Sequence, residues 1–345
     1  MNVGDVGEFG LIARLARIVG SERPDVVVGI GDDVAVLDVG GPRWLVATVD
    51  AHVEGVHFLR HLITPQQLGR RALAVNISDI AATGGEPAFA LVSLVLSESE
   101  EVEWLEELYR GLRAEAERAG VAVVGGNIAR SPGPMIIDIT LLGHVRPEHM
   151  LRRNGARPGD VVLVTGTLGD AAAGLRLLLN PSPDLAAPYA LPVAEREALV
   201  SRLMTPTPRL AESRVVARAG LATAMVDISD GLSSDVGHIC TASRVGVRLW
   251  ADRLPVSDST RRVACLLGVP AWELALSGGE DYELCFTVPR RVALDLAARV
   301  TNETGTPVTA VGEVLPPEAG RRLVLPGGQD VPLEARGWEH FAPPS

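Results

Sequence analysis

The sequence predicts an α/β (α+β) protein built as two domains, and three observations lead there. At 345 residues the chain is longer than one small core can organise. Strand-like and helix-like patterns interleave in both halves. Between them lies Arg146–Asp160, with Pro147, Gly155, Pro158 and Gly159, a composition suited to a linker. The predicted domains are residues 1–148 and 149–345.

In chain order, apolar residues at 11, 12, 15, 18 and 19 give helical spacing over Leu11–Val19. Val26–Ile30 and Trp44–Val49 read as strands around a turn-rich GIGDDVAVLDVGGP. Pro65–Ala82 reads as a helix stopped by Thr83-Gly84-Gly85, and Phe89–Leu96 as a buried strand. Glu100–Ala119 is an amphipathic helix with an acidic start and a closing Gly120. Val121–Val124 and Met135–Val145 complete the first half as strands.

After the linker, Val161–Thr165 reads as a strand and Asp170–Leu179 as a helix. Helices follow at Val193–Met204 and Arg209–Ala219, then a strand running into an acidic loop at Met225–Asp230 and a helix at Ser234–Ser243. The remainder mixes strands and helices at Val245–Trp250, Ala271–Leu276, Tyr282–Val288, Val292–Val300 and Val308–Val314.

Composition removes several function classes. Net charge is −11 with no basic run, which argues against a nucleic-acid surface. All 32 cationic residues are Arg, so the lysine of a P-loop, the strand lysine of a protein kinase and a Schiff-base amine are unavailable. Mean hydropathy is +0.20, yet no apolar run approaches the roughly 18–20 residues of a membrane span. The first ten residues have no leader-like pattern, and Cys240, Cys265 and Cys285 fit neither a disulfide framework nor a zinc site. The expected compartment is the cytoplasm.

Five acidic or glycine-rich clusters carry the chemistry: Gly29-Ile30-Gly31-Asp32-Asp33; Asp50 at the end of its strand, leading to Glu54-Gly55-Val56-His57; Asn76-Ile77-Ser78-Asp79; Gly125-Gly126-Asn127 after its strand; and Asp227-Ile228-Ser229-Asp230-Gly231. Each alone also fits a turn with a capping Asp. Together they are harder to explain that way, because Asp50 and Asp79 sit among apolar residues where an unpaired carboxylate is costly. Carboxylates gathered in one place repel unless a cation neutralises them, and their oxygens suit Mg²⁺ shared with substrate phosphates. The residues therefore point to magnesium-dependent phosphate chemistry.

Read in order, GIGDDVAVL, the D-x6-H of Asp50–His57, LAVNISDIAATGGEP, VVGGN, DISDGLSSDVGHI, SGGEDYELCFTVP and the terminal GWEHF resemble the thiamine-monophosphate kinase family, within the superfamily of aminoimidazole ribonucleotide synthetase and selenophosphate synthetase. The resemblance implies the two-domain fold of that superfamily, with mixed sheets and flanking helices in each domain. It implies transfer of a phosphoryl group from ATP to thiamine monophosphate with several Mg²⁺ ions, and a homodimer formed through the N-terminal domain, where Phe89–Leu96 could line the interface.

Carried over position by position, the resemblance gives Asp33, Thr48, Asp50, Asp79, Asn127, Asp227 and Asp230 as metal ligands, with Asp79 and Asp230 as the catalytic pair. It gives Tyr109, Gly126, Asn127, Arg153 and Ser229 as ATP contacts, and His57, Glu280 and Trp338 as thiamine monophosphate contacts. On its own Tyr109 equally suits the core face of its helix. The sequence departs from the family pattern at Val49 and Ala51 around Asp50, and at Asn127, Ile128 and Ala129, where GGD followed by hydroxyl residues is usual. These departures leave open a weakened metal position or a shifted substrate. The competing readings are another ATP-using enzyme of the superfamily, such as one acting like aminoimidazole ribonucleotide synthetase, and a non-catalytic binder of nucleotide or thiamine phosphate.

Overall fold

The computed structural model describes residues 2–20, 23–179, 191–334 and 337. It contains two mixed sheets with flanking helices, as the sequence predicts. The first sheet takes β1 (Val26–Val28), β2 (Ala35–Leu37), β3 (Trp44–Val53), β4 (Glu86–Leu96), β5 (Ala122–Arg130) and β6 (Ile136–Val145) in the order β1-β2-β3-β6-β4-β5. Only β4 and β5 run parallel, and the long helix α3 (Val102–Ala119) makes the crossover between them.

Helix α2 (Pro65–Ala82) is the element that matters most for the site. Thr64 and Gln67 close its N-terminus with a reciprocal capping box, and Pro65 occupies its first turn. Leu68, Ala72, Leu73, Ile77 and Ile80 bury against the first sheet and α3. The two helices meet backbone to backbone: a Cβ on Gly69 would lie 1.9 Å from the Leu108 carbonyl, and one on Gly111 1.9 Å from that of Gln66. Nothing larger than glycine fits at either point, so the crossing holds α2 in a fixed place.

The second sheet takes β7 (Asp160–Thr165), β8 (Ala224–Ile228), β9 (Gly246–Trp250), β10 (Glu283–Pro289), β11 (Val308–Leu315), β12 (Arg321–Val324) and β13 (Asp330–Pro332) in the order β13-β12-β9-β11-β7-β10-β8. Its central strands are covered on both sides. Val162, Val164, Val226 and Ile228 pack with α7 (Leu232–Ser243). The alternate residues Leu163, Met225, Leu284 and Phe286 pack with α6 (Leu210–Ala219) and α10 (Ala293–Thr304). Two-sided burial explains why these strands read as continuous apolar runs.

Several elements differ from expectation: β2, β12 and β13 were not predicted as strands, and three further differences bear on the site or its packing. β3 runs on to Val53 because it stays paired with β6, Val49 to Thr140 and Asp50 to Ile139, so Asp50 stands inside the strand and not at its end. β5 likewise continues to Arg130, which places Gly125-Gly126-Asn127 within a strand and not after it. Helix α8 (Asp258–Leu267), capped by Ser257 and stopped by Gly268, was not expected at all. Helices α4 (Asp170–Leu179), α5 (Val193–Met204) and α9 (Ala271–Ser277) also belong to the second half.

Candidate active site

The carboxylates gather where α2 meets the second sheet. Asp33 follows the turn after β1, Asp79 lies in the last turn of α2, and Asp227 sits near the end of β8. These three each offer an oxygen within 4.8 Å of the others. Thr48 on β3 donates a 2.6 Å hydrogen bond to Asp79 Oδ2, and its hydroxyl also lies 3.4 Å from the Asp33 carbonyl. Ser78, beside Asp79 on α2, donates at 2.6 Å to Asp227 Oδ2. Arg153, midway along the β6–β7 connection, ion-pairs with Asp33 and stands 3.9 Å from Asp32.

This clustering works against ionisation. Burial, reinforced by Asp227 and Asp32 and opposed by Arg153, pushes Asp33 up to about 7. Burial with Glu280, Asp138, Asp230 and Asp33 nearby lifts Asp50 to about 7. Asp227 and Asp230 rise to about 6, mainly through burial, and Asp79 goes well above the ordinary range for the same reason, with Asp50, Asp227 and Asp33 adding to it. Asp33 Oδ2 is buried with no hydrogen-bond partner among the described residues. A set of hard oxygen donors with repelling charges and one orphaned oxygen fits a divalent cation of the magnesium kind.

A second group was not anticipated: Asp230, Asp235 and His238 also lie within 4.8 Å of one another by their ligand atoms. Asp235 accepts the Gly231 N–H at 3.0 Å, which places it at the opening of α7. The His238 ring lies 5.0 Å from Phe9 of α1 (Val3–Val19), and burial, with Arg153 and Arg321 nearby, pulls its pKa down to about 4. The three-residue spacing of Asp235 and His238 on one helix was the available signal.

Of the expected thiamine contacts, His57 and Glu280 meet at Arg71 of α2. His57 Nδ1 accepts the Val53 N–H at 2.9 Å, which leaves Nε2 as the ring's donor. Glu280 has φ +62° and its N–H donates to the Ser229 carbonyl at 2.6 Å, so the 280 loop is pinned to the acidic turn. Arg71 of α2, missed in the sequence because nothing local separates it from a solvated arginine, ion-pairs with Glu280 at 2.8 Å and donates to the His57 carbonyl at 3.3 Å. Trp338 lies outside the described residues. Gly337, just before it, donates its N–H to Ser234 Oγ at 3.1 Å, in the first turn of α7.

Gly126 and Asn127 stand on β5, on two adjacent rows of the first sheet. A Cβ on Gly126 would lie 1.8 Å from the Val92 carbonyl, so only glycine permits β5 to pair here. Register puts Asn127 opposite Ser93, then Asp138 and Ala51, whereas Asp50 shares the neighbouring row of Ile139, Val92 and Gly126. Adjacent rows face opposite sides of a sheet, so register separates Asn127 from Thr48 and Asp50. Tyr109 lines a groove of about 660 Å³ between α3 and β5, together with Leu112, Arg113, Val121 and Val123.

Comparison with known proteins accounts for this arrangement. The AIR synthase related protein N-terminal domain family matches residues 31–145, and the corresponding C-terminal domain family matches 157–324. The thiamine-monophosphate kinase of Salmonella typhimurium is 41% identical over 343 residues, covering 98% of this chain and 99% of the relative. The chain belongs to the thiamine-monophosphate kinase family. The family's enzyme from Aquifex aeolicus is 36% identical over 341 residues, covering 99% of this chain and 100% of the relative. Among solved structures, "AaThiL complexed with AMPPCP and TMP" superposes with a TM-score of 0.82 at 35% identity, covering 99% of each chain. The thiamine-monophosphate kinase from Stenotrophomonas maltophilia gives 0.74 at 38%, covering 93% of this chain and 97% of that one.

Proposed function

We propose that this chain transfers the γ-phosphoryl group of ATP to thiamine monophosphate, yielding thiamine diphosphate and ADP. The observation that carries the reading is the meeting of Asp33, Asp79 and Asp227, drawn from both halves of a chain that matches the kinase family end to end. A phosphate oxygen of thiamine monophosphate forms the new bond to the γ-phosphorus. The bond from that phosphorus to the bridging oxygen breaks, and ADP leaves with the electron pair. The attacking oxygen is already anionic, so the protein needs to position and neutralise rather than abstract a proton.

Asp33, Thr48, Asp50, Asp79, Asp227 and Asp230 are the residues to hold Mg²⁺, which when bound supplies positive charge to the phosphates. Asp79 and Asp230 set the reacting phosphates from the two sides of the junction. Arg153 brings a guanidinium to the cluster of Asp33 and Asp32 and, with Ser229, is assigned to the nucleotide. Tyr109 and its groove suit the flat nucleotide base, with Gly126 and Asn127 on the neighbouring strand. His57 offers its Nε2 proton to the substrate phosphate or pyrimidine, Glu280 balances the thiazolium, and Trp338 stacks on the rings.

The domains divide at 148/149. Val49, Phe89, Leu91, Val124 and Ile128 are exposed apolar residues of the first sheet, which suits burial in a homodimer. Among the described residues no helix is long and apolar enough to cross a membrane, and the proposed site of action is the cytoplasm. Incubation with thiamine monophosphate, ATP and Mg²⁺ tests the reading: thiamine diphosphate should appear by chromatography, and its absence across a wide Mg²⁺ range would overturn it.

A further inference from the structure

Arg71 is buried, its side chain only 6% exposed, on a helix whose neighbouring residues belong to the hydrophobic core. Such a cation is retained only when most of its donors are used; both terminal nitrogens of Arg71 are, while Nε is buried with no hydrogen-bond partner among the described residues. It reaches three segments at once. One guanidinium nitrogen meets Glu280 Oε2 at 2.8 Å and the His57 carbonyl at 3.3 Å, and the other donates at 3.1 Å to the carbonyl of Leu203 in the last turn of α5. Tyr282 adds a second donor to Glu280 Oε2, its hydroxyl lying 3.2 Å away.

Glu280 needs such support. Its φ of +62° and that of Tyr282, +50°, put two non-glycine residues in the left-handed region, a conformation the surroundings must hold. With Oε2 taken by Arg71 and Tyr282, Oε1 has no hydrogen-bond partner among the described residues. The side chain keeps 31% exposure, so one oxygen is fixed while the carboxylate remains open to a ligand.

We propose that Arg71 is a positioning residue for the acceptor substrate: its fork fixes the Glu280 carboxylate and the His57 loop relative to each other across the junction of the two sheets. Arg71 itself does not touch the substrate; it sets the spacing of the two groups that do. This rests on the reading of Glu280 and His57 as thiamine monophosphate contacts. A planar fork suits the task, because a lysine ammonium cannot meet the carboxylate and both carbonyls in one geometry.

Steady-state kinetics of Arg71→Met, Arg71→Lys, Glu280→Gln and the Met/Gln double variant test it. KM for thiamine monophosphate should rise about ten- to a hundredfold in Arg71→Met, the span of a lost hydrogen bond to a charged group, and by less in Arg71→Lys. KM for ATP should stay within about twofold in both, and the double variant should be no worse than the poorer single one, since the two act as one unit. If Arg71→Met does not fold, Arg71→Lys, which keeps the buried charge, decides by the same split between the two KM values. A rise with Glu280→Gln but none with the Arg71 variants, or a parallel rise in both KM values, overturns the role of Arg71 alone. No rise with Glu280→Gln overturns the reading of Glu280 on which it rests.

Discussion

Ser78 on helix α2 donates a 2.6 Å hydrogen bond to Asp227 on strand β8, joining residues 149 positions apart in the chain. The bond links the helix packed on the first sheet to the edge of the second. It does so one residue from Asp79, so the carboxylates proposed to hold the metal in the two halves share a brace.

Removing that brace should loosen the metal without unfolding the chain. Ser78→Ala takes away a donor that holds Asp227 ionised, and Asp227 should then protonate more readily. Partners behind a metal ligand commonly govern affinity by about 10–100-fold. The Mg²⁺ concentration for half-maximal turnover should rise by about tenfold, with little change in activity at saturating metal.

The raised carboxylates give a pH dependence whose sign is set by linkage. Asp33 and Asp50 titrate near 7 and Asp227 and Asp230 near 6 in the folded chain, against about 3.9 when unfolded. Folded-state values above the unfolded one mean that the native chain binds more protons between pH 4 and 7. Their contribution to stability is therefore full below about pH 4 and is lost as pH rises through 6–7. In EDTA, calorimetry should show the site's contribution to Tm falling from pH 5.5 to 8, and Asp33→Asn should flatten that fall. Added Mg²⁺ should raise Tm more at pH 8 than at pH 5.5.

Asp230 and Asn127 should differ sharply in weight. Asp230→Asn removes a charge beside Asp33 and Glu280, and kcat should drop by about a hundredfold or more. Asn127→Asp adds a charge on the row of Ser93 and Asp138, away from Thr48 and Asp50, and activity should change by less than about tenfold. A large gain from Asn127→Asp would show instead that the natural site is missing a ligand.

The helix crossing can be tested by its smallest perturbation. Gly69→Ala drives a methyl into the Leu108 carbonyl, and overpacking of this kind costs about 1–3 kcal/mol. Urea unfolding should report that loss. Because α2 carries both Arg71 and Asp79, activity should fall along with stability.

Thiol labelling checks the packing of the second half. Cys265 is exposed, while Cys240 and Cys285 are buried, with burial raising Cys240 to about 11 and Cys285 further. In the native chain one thiol should react promptly with an aromatic disulfide reagent, and all three should react after denaturation.

Much of this architecture was legible because local chemistry and tertiary need agree. Helix α2 announces itself through Thr64, Pro65 and apolar residues at 68, 72, 73, 77 and 80, and β7 through a run of residues buried on both sides. Strand ends were misplaced where pairing continued past a polar side chain: Asp50 and Asn127 look like turn residues, but the ladders to β6 and β4 carry on through them. Helix α8 had its cap in Ser257 and its stop in Gly268, so the signal was present. Arg71 had none. Its burial depends on Glu280, Leu203 and the His57 carbonyl, partners that only folding brings together.

The central claim is tested most directly by following the label from γ-labelled ATP. With thiamine monophosphate and Mg²⁺ present, the label should appear in thiamine diphosphate, one ADP should form for each, and inorganic phosphate should stay at background. Label released as inorganic phosphate with a different acceptor, or ligand binding with no turnover at any Mg²⁺ concentration, would contradict the account.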